Sequence, residues 1–103
     1  MDVRLMVEQF RRVSGALMAR PGIPAEAAYR IRKMMDRVAP VADKVYLKTL
    51  KGGEMLLQCT EKAGIIGEHL NGDEDLLYLL LTDLETTCEE LLKGVYEFRI
   101  KAG

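Results

Sequence analysis

The chain has 103 residues, of which 49% are hydrophobic and 30% charged, a composition typical of one folded domain rather than a disordered segment. The aromatic content of only 6% leaves aliphatic side chains to form the core, which favours helix packing over a sheet. The longest apolar run, residues 76–81, is far shorter than the roughly 20 residues that span a bilayer. The N-terminus has an acidic residue at position 2 and leads into an amphipathic pattern, so we do not expect it to be a signal peptide. We therefore expect a single cytoplasmic domain over residues 1–103 with no membrane contact.

The net charge of −1 conceals an asymmetry between the two halves of the chain. Residues 1–51 carry 11 Lys and Arg against 5 Asp and Glu, whereas residues 52–103 carry 4 against 11. The basic half could face the acidic half, within one chain or between two, or it could face an anionic partner. The sequence leaves these alternatives open.

The first predicted element is an amphipathic helix from about Asp2 to Arg20. Asp2 is suited to cap its N-terminus, and Pro21 stops it because proline cannot donate the next hydrogen bond. Apolar residues recur every three or four positions and so share one face: Val3, Met6, Phe10, Val13 and Leu17.

The second predicted element opens at Pro24, a residue suited to a first helical turn. Its apolar spacing persists across Pro40, so we expect one kinked helix that ends at Lys51-Gly52-Gly53. The residues of this stripe are Ile31, Met34, Val38, Val41 and Val45.

The third predicted element is a helix from about Glu54 to Leu70, which Gly64 and Gly67 weaken. An alternative is a β-hairpin in which residues 45–50 pair with residues 54–59 about the two glycines. Helical spacing on both sides favours helix, but the choice for residues 45–59 stays open at this point.

The last predicted element is a helix of nearly thirty residues that follows the acidic residues 73–75, which favour a helix N-terminus. Its main apolar seam consists of Leu77, Leu81, Leu84, Cys88, Leu91, Val95 and Phe98. Leu76, Leu80 and Leu92 form a predicted second row beside this seam.

Four amphipathic helices predict an all-α bundle with a long C-terminal helix. The excess apolar surface predicts self-association, most simply as a two-fold dimer.

Few residues of the sequence could take part in catalysis, redox chemistry or metal binding. Cys59 and Cys88 occupy core positions without a C-x-x-C spacing, so we expect buried, reduced and inert thiols. His69 lacks a nucleophile motif, and residues 71–75 do not match a calcium loop. We find no phosphate-binding glycine loop and no E-x-x-H pair. The sequence therefore predicts a non-enzymatic protein with no cofactor and no metal site.

A basic cluster on the second element is the main alternative site. It consists of Arg30, Arg32, Lys33 and Arg37, and Arg11, Arg12 and Arg20 add to it from the first element. Such residues could contact nucleic acid phosphates. No aromatic platform accompanies them, and the isoelectric point of about 5.8 is far from basic. We therefore rank nucleic-acid binding below protein–protein association, with the protein partner unidentified.

Residues 16–33, Ala-Leu-Met-Ala-Arg-Pro-Gly-Ile-Pro-Ala-Glu-Ala-Ala-Tyr-Arg-Ile-Arg-Lys, combine a helix end, a proline-bearing turn and a basic helix with a tyrosine. This stretch resembles the early part of small helical proteins of tailed phages and prophages. The resemblance implies a small helical structural or assembly protein without enzymatic activity. It carries over no functional residue, and it fades after Pro40.

Overall fold

The computed structural model describes residues 2–41 and 43–102, the side chains of 99–102 excepted. Its four α-helices are α1 (Val3–Met18), α2 (Ala25–Val38), α3 (Leu50–Glu68) and α4 (Glu74–Ala102). Two short 3₁₀ turns, Ala39–Val41 and Val45–Lys48, connect α2 to α3. These ranges contain no β-strand, and the predicted all-α bundle with a long C-terminal helix is confirmed.

The four helices alternate in direction along the chain. Both α1 and α4 pack against α2 and α3, and the contacts of α3 with α1 and α4 are the most extensive. The bundle is elongated, 45 × 22 × 19 Å, because α4 extends past the end of α2. The directions follow from residues brought side by side: Met6 and Gly53, Leu17 and Gly67, Arg30 and Glu85, Arg37 and Glu89, Cys59 and Cys88, Lys62 and Asp83.

The hydrophobic core runs along α4 and includes the apolar seam of this helix. The predicted seam is buried from Leu77 to Leu91, whereas Val95 and Phe98 are partly buried. Phe98 packs against Tyr46 with ring centroids 6.0 Å apart. The other helices bury most of the apolar residues that their three- and four-residue spacing predicts, although Val13 is only partly buried.

Side chains cap three of the helices at their N-termini. Asp2 accepts a hydrogen bond from the Arg4 amide at 2.9 Å, which confirms the predicted cap of α1. Thr49 accepts from the Gly52 amide at 3.0 Å, and Asp73 accepts from the Asp75 amide at 2.9 Å. Each cap satisfies an amide that the first turn leaves without an intrahelical partner.

The predicted kinked helix through Pro40 is wrong. The regular helix α2 ends at Val38, and Pro40 lies in the first 3₁₀ turn. Val45, assigned by its spacing to the buried stripe, is 60% exposed, and its neighbours Tyr46 and Leu47 are buried instead. The reason is that proline removes a backbone donor and crowds the preceding turn, so the chain leaves the helical path.

The predicted end of the second element at Gly52-Gly53 is also wrong, as is the hairpin alternative. Both glycines lie within α3, which begins at Leu50. A Cβ atom at Gly52 would overlap the carbonyl oxygen of Tyr46, and a Cβ at Gly94 would lie 2.5 Å from the Tyr46 ring. These two glycines therefore allow the second 3₁₀ turn to pack closely against α3 and α4.

Candidate interaction surfaces

The first surface lies between α2 and α4, where Arg30 binds Glu85. The guanidinium donates from Nε to Glu85 Oε2 at 3.0 Å and from Nη2 to the other carboxylate oxygen. Its centre also lies 5.8 Å from the centroid of the Tyr78 ring, within cation–π range. The hydrogen bond to Glu85 raises the pKa of Arg30 further above neutrality. Arg30 is therefore a fixed positive charge that α4 already neutralises.

Arg37, two turns further along α2, binds Glu89 in the same way. Both of its terminal nitrogens donate to this carboxylate, one at 3.2 Å, and the hydrogen bond lowers the pKa of Glu89. Both side chains are exposed. At these two positions the basic half of the sequence meets the acidic half within one chain.

The predicted basic cluster is therefore divided by the structure. Arg30 and Arg37 face α4, whereas Arg32 and Lys33 are exposed elsewhere on α2. Lys33 Nζ lies 5.3 Å from the centroid of the Tyr29 ring. Arg20 donates to the Gly67 carbonyl at 3.2 Å, and so belongs to the contact of α1 with α3. The four residues of the predicted cluster therefore do not form one basic surface.

The second surface is apolar and lies on the outer side of α3 and α4 near the turn that joins them. Leu79 is 68% exposed, Ile65 40% and Leu76 37%, while Leu80 is partly buried against the core. We call these four residues the α3/α4 patch. Two of them, Leu76 and Leu80, belong to the predicted self-association set.

Helix geometry places the four residues on one face. Lys62 of α3 binds Asp83 of α4 at 3.1 Å on the outside of the helix pair. Ile65 follows Lys62 by three positions, and Leu79 precedes Asp83 by four, spacings that keep side chains on the same helix face. Because α3 and α4 are antiparallel, both steps lead from the ion pair toward the connecting turn. The patch is therefore continuous with the Lys62–Asp83 pair.

Leu92, the third residue of the predicted second row, lies elsewhere. It follows Leu76 by sixteen positions, which at 3.6 residues per turn separates the two by about 160° around the helix axis. The row Leu76, Leu80 and Leu92 is thus divided between the two flanks of α4. Leu79 was missed because it falls outside both rows, although a run of six apolar residues must place some of them toward solvent.

The third surface is an open groove of about 920 Å³ where α1 and α3 begin. Leu50 at its edge is 81% exposed. Charges of both signs surround the groove, and the side chains of Asp2 and Thr49 already cap the two helix ends. The lining residues are Asp2, Val3, Arg4, Met6, Asp43, Leu47, Lys48, Thr49, Leu50, Gly53, Glu54 and Leu57.

The residues that could take part in catalysis, redox chemistry or metal binding do not form one common site. Cys59 and Cys88 are buried as predicted and lie side by side, with their Sγ atoms 3.6 Å apart. His69 is exposed at the C-terminal end of α3, and the buried Ser14 hydroxyl has no hydrogen-bond partner among the described residues. Within the same residues, no three His, Cys, Asp or Glu side chains converge to hold a metal ion.

The helices of the described chain include none that is long and apolar enough to cross a membrane. Comparisons of the chain with protein-family models, with curated proteins and with solved structures find no match. The functional argument therefore rests on the surfaces themselves.

Proposed function

We propose that this protein is a non-enzymatic cytoplasmic module that self-associates through the α3/α4 patch as a two-fold dimer. The observation that carries the proposal is the exposure of Leu79 beside Ile65 and Leu76, on a face that the chain's own helices leave uncovered. Clusters of exposed apolar side chains bordered by polar residues are typical of protein–protein contact sites.

The charges that border the patch bear on how a second copy of the chain could meet it. Lys62 and Asp83 neutralise each other, whereas Glu68 and Asp75, each one helical turn from a patch residue, are exposed, so a two-fold dimer must keep these two carboxylates at its solvated rim. A two-fold axis brings the same patch of each chain together, which is the commonest arrangement of homodimers. Fully burying an exposed Leu or Ile side chain contributes roughly 1.5–3 kcal/mol, and each patch residue gains only in proportion to the fraction that is still exposed. The largest contribution is therefore expected from Leu79, once from each chain.

The resemblance of residues 16–33 to small helical phage and prophage proteins supports a structural or assembly role within this proposal. In such a role the dimer would act as an accessory to a larger assembly rather than on a substrate. Nucleic-acid binding is the alternative, and the engagement of Arg30 and Arg37 by α4 weakens it.

A matched pair of substitutions tests the proposal. Leu79→Asp places a charge in the patch, whereas Leu50→Asp places one at an even more exposed leucine in the groove of α1 and α3. We expect Leu79→Asp to weaken dimerisation at least about ten-fold, because the charge must lose its hydration in the interface, and Leu50→Asp to leave it unchanged. Sedimentation equilibrium measures both dissociation constants.

The opposite result, loss of the dimer in Leu50→Asp alone, would move the interface to the groove and contradict the proposal.

Titration with duplex DNA examines the alternative function. We expect negligible affinity at physiological salt. Binding tighter than about micromolar that falls steeply with salt, and that disappears in an Arg32→Ala, Lys33→Ala double variant, would favour the nucleic-acid alternative.

A further inference from the structure

The two cysteines, twenty-nine positions apart in the sequence, meet in the core between α3 and α4. The thiol of Cys88 donates a hydrogen bond to the sulfur of Cys59 over 3.6 Å. Both are buried, and both lie at the contact between two antiparallel helices that pack along much of their length. Buried cysteines are common, but here the two buried thiols are in contact with each other.

The two sulfur atoms are in van der Waals contact but are not at bonding distance. A disulfide bond is about 2.05 Å long, so the two sulfurs need to approach by roughly 1.5 Å. Forming the bond requires side-chain rotation and a small shift of the two helices. The same local opening must admit the oxidant, because Cys59 and Cys88 are 0% and 2% exposed.

The surroundings distinguish the two thiols. Lys62, one turn after Cys59, donates from its ammonium group to Thr87 Oγ1 at 2.6 Å, directly before Cys88 in the chain. The hydrogen bond from Cys88, together with the charge of Lys62, lowers the pKa of Cys59. The same hydrogen bond and burial raise the pKa of Cys88. Cys59 is therefore the thiol that ionises first.

We propose that Cys59 and Cys88 form a site of reversible oxidation, at which a peroxide or a small disulfide converts them into an intramolecular disulfide that joins α3 to α4. The site is independent of the proposed dimer. In a reducing compartment the dithiol predominates, and the disulfide forms when an oxidant is present.

The reaction with hydrogen peroxide balances in two steps. The Cys59 thiolate attacks one peroxide oxygen, the O–O bond breaks, and the leaving hydroxide takes up the proton that Cys59 released, giving water and a sulfenic acid. The Cys88 sulfur then attacks the Cys59 sulfur, the S–O bond breaks, and the hydroxyl group leaves as a second water with the Cys88 proton. The two thiols lose two electrons, and the peroxide gains them.

The folded structure should favour this bond, because packing of α3 on α4 already holds the sulfurs together. In the unfolded chain the same bond must close a long loop at a cost in chain entropy. The equilibrium constant for disulfide formation should therefore be larger in the folded protein. By the same thermodynamic cycle, the disulfide should stabilise the fold.

Equilibration with mixtures of reduced and oxidised glutathione tests this inference. The full chain is incubated both folded and unfolded in urea, quenched with acid, alkylated and weighed by mass spectrometry. We expect a product lighter by two hydrogens with neither cysteine alkylated, and an equilibrium constant at least about ten-fold larger for the folded chain. The melting temperature of the oxidised protein should rise by about 10 °C.

An equal or smaller equilibrium constant for the folded chain would overturn the inference, and so would glutathione adducts on either cysteine or disulfides between chains. Cys88→Ser serves as the control and should give no product lighter by two hydrogens, since the chain has two cysteines. If this variant does not fold, the comparison of folded and unfolded wild-type protein still decides, because it needs no substitution.

Discussion

The two flanks of α4 differ in what they present to the outside. On the flank toward α2, Glu85 and Glu89 bind arginines of the same chain. On the flank toward α3, the Lys62–Asp83 pair gives way to the exposed Leu76 and Leu79. Part of the charge asymmetry of the sequence is thus neutralised within one molecule. Near the α3–α4 turn, the exposed apolar residues Leu76 and Leu79 lie beside exposed carboxylates such as Asp75.

This difference matters because ion pairs and apolar side chains make different contributions to the free energy of folding or association. Exposed ion pairs contribute about 0–1 kcal/mol each, since water and salt screen them. Apolar side chains contribute more when they are buried by a partner, and they do so without a strict geometry. We therefore assign the ion-paired flank to the internal architecture, and the proposed association places the apolar flank at the interface.

The largest effect is expected at Leu84, which is fully buried between the two flanks. Leu84→Asp should unfold the protein, at a cost above about 4 kcal/mol, because a carboxylate would lie in the core without a partner. Thermal melting followed by circular dichroism measures this loss. Leu79→Asp is the control on the same helix and should melt close to the wild type, and a folded Leu84→Asp variant would contradict the assigned seam.

A second effect tests how α3 is held beside α4. Gly52→Ala should cost about 2–4 kcal/mol, because the new methyl group overlaps the Tyr46 carbonyl and forces the 3₁₀ turn away. Gly64→Ala, in the same helix, meets no atom within 4 Å and should stabilise the protein by about 0.5–1 kcal/mol through helix propensity. Urea unfolding measures both changes. Equal effects at the two positions would show that the turn does not pack against Gly52.

The turn that contains Tyr46 also shows where prediction from the sequence ends. The helices α1 and α4 follow from local spacing and from Asp2 and Asp73–Asp75, which all act within a few residues. The close packing of the second 3₁₀ turn, Val45–Lys48, depends instead on Gly52 and Gly94, one of them distant in the sequence. Local periodicity carries no information on such a contact, and so Gly52 was interpreted as a helix stop.

The candidate surfaces divide in the same way. The excess of leucines on α4 was visible in the sequence, but which of them face solvent depends on how α2 and α3 cover the helix. The pairing of Arg30 with Glu85, like that of Cys59 with Cys88, joins residues far apart in the chain. Composition indicated that charges of opposite sign could meet, but only the packed helices show which of them do.

The smallest effect is expected on the ion-paired flank. Arg37→Ala should cost at most about 0.5 kcal/mol, because the pair with Glu89 is exposed. The lowered pKa of Glu89 means that its small contribution is present at neutral pH and is lost as the pH falls through the folded-state pKa. Urea unfolding at neutral and acid pH measures this dependence. Arg32→Ala should change neither quantity, and a larger loss there than at Arg37 would reverse the assignment of the two arginines.

The central claim, that the apolar flank of α4 joins two copies of the chain, is tested most directly by the mass of the wild-type protein in solution. Light scattering at tens of micromolar should give about twice the chain mass of 11.6 kDa, and the mass should fall toward that of one chain on dilution. A mass that stays near 11.6 kDa at every concentration would show a monomer and contradict the account.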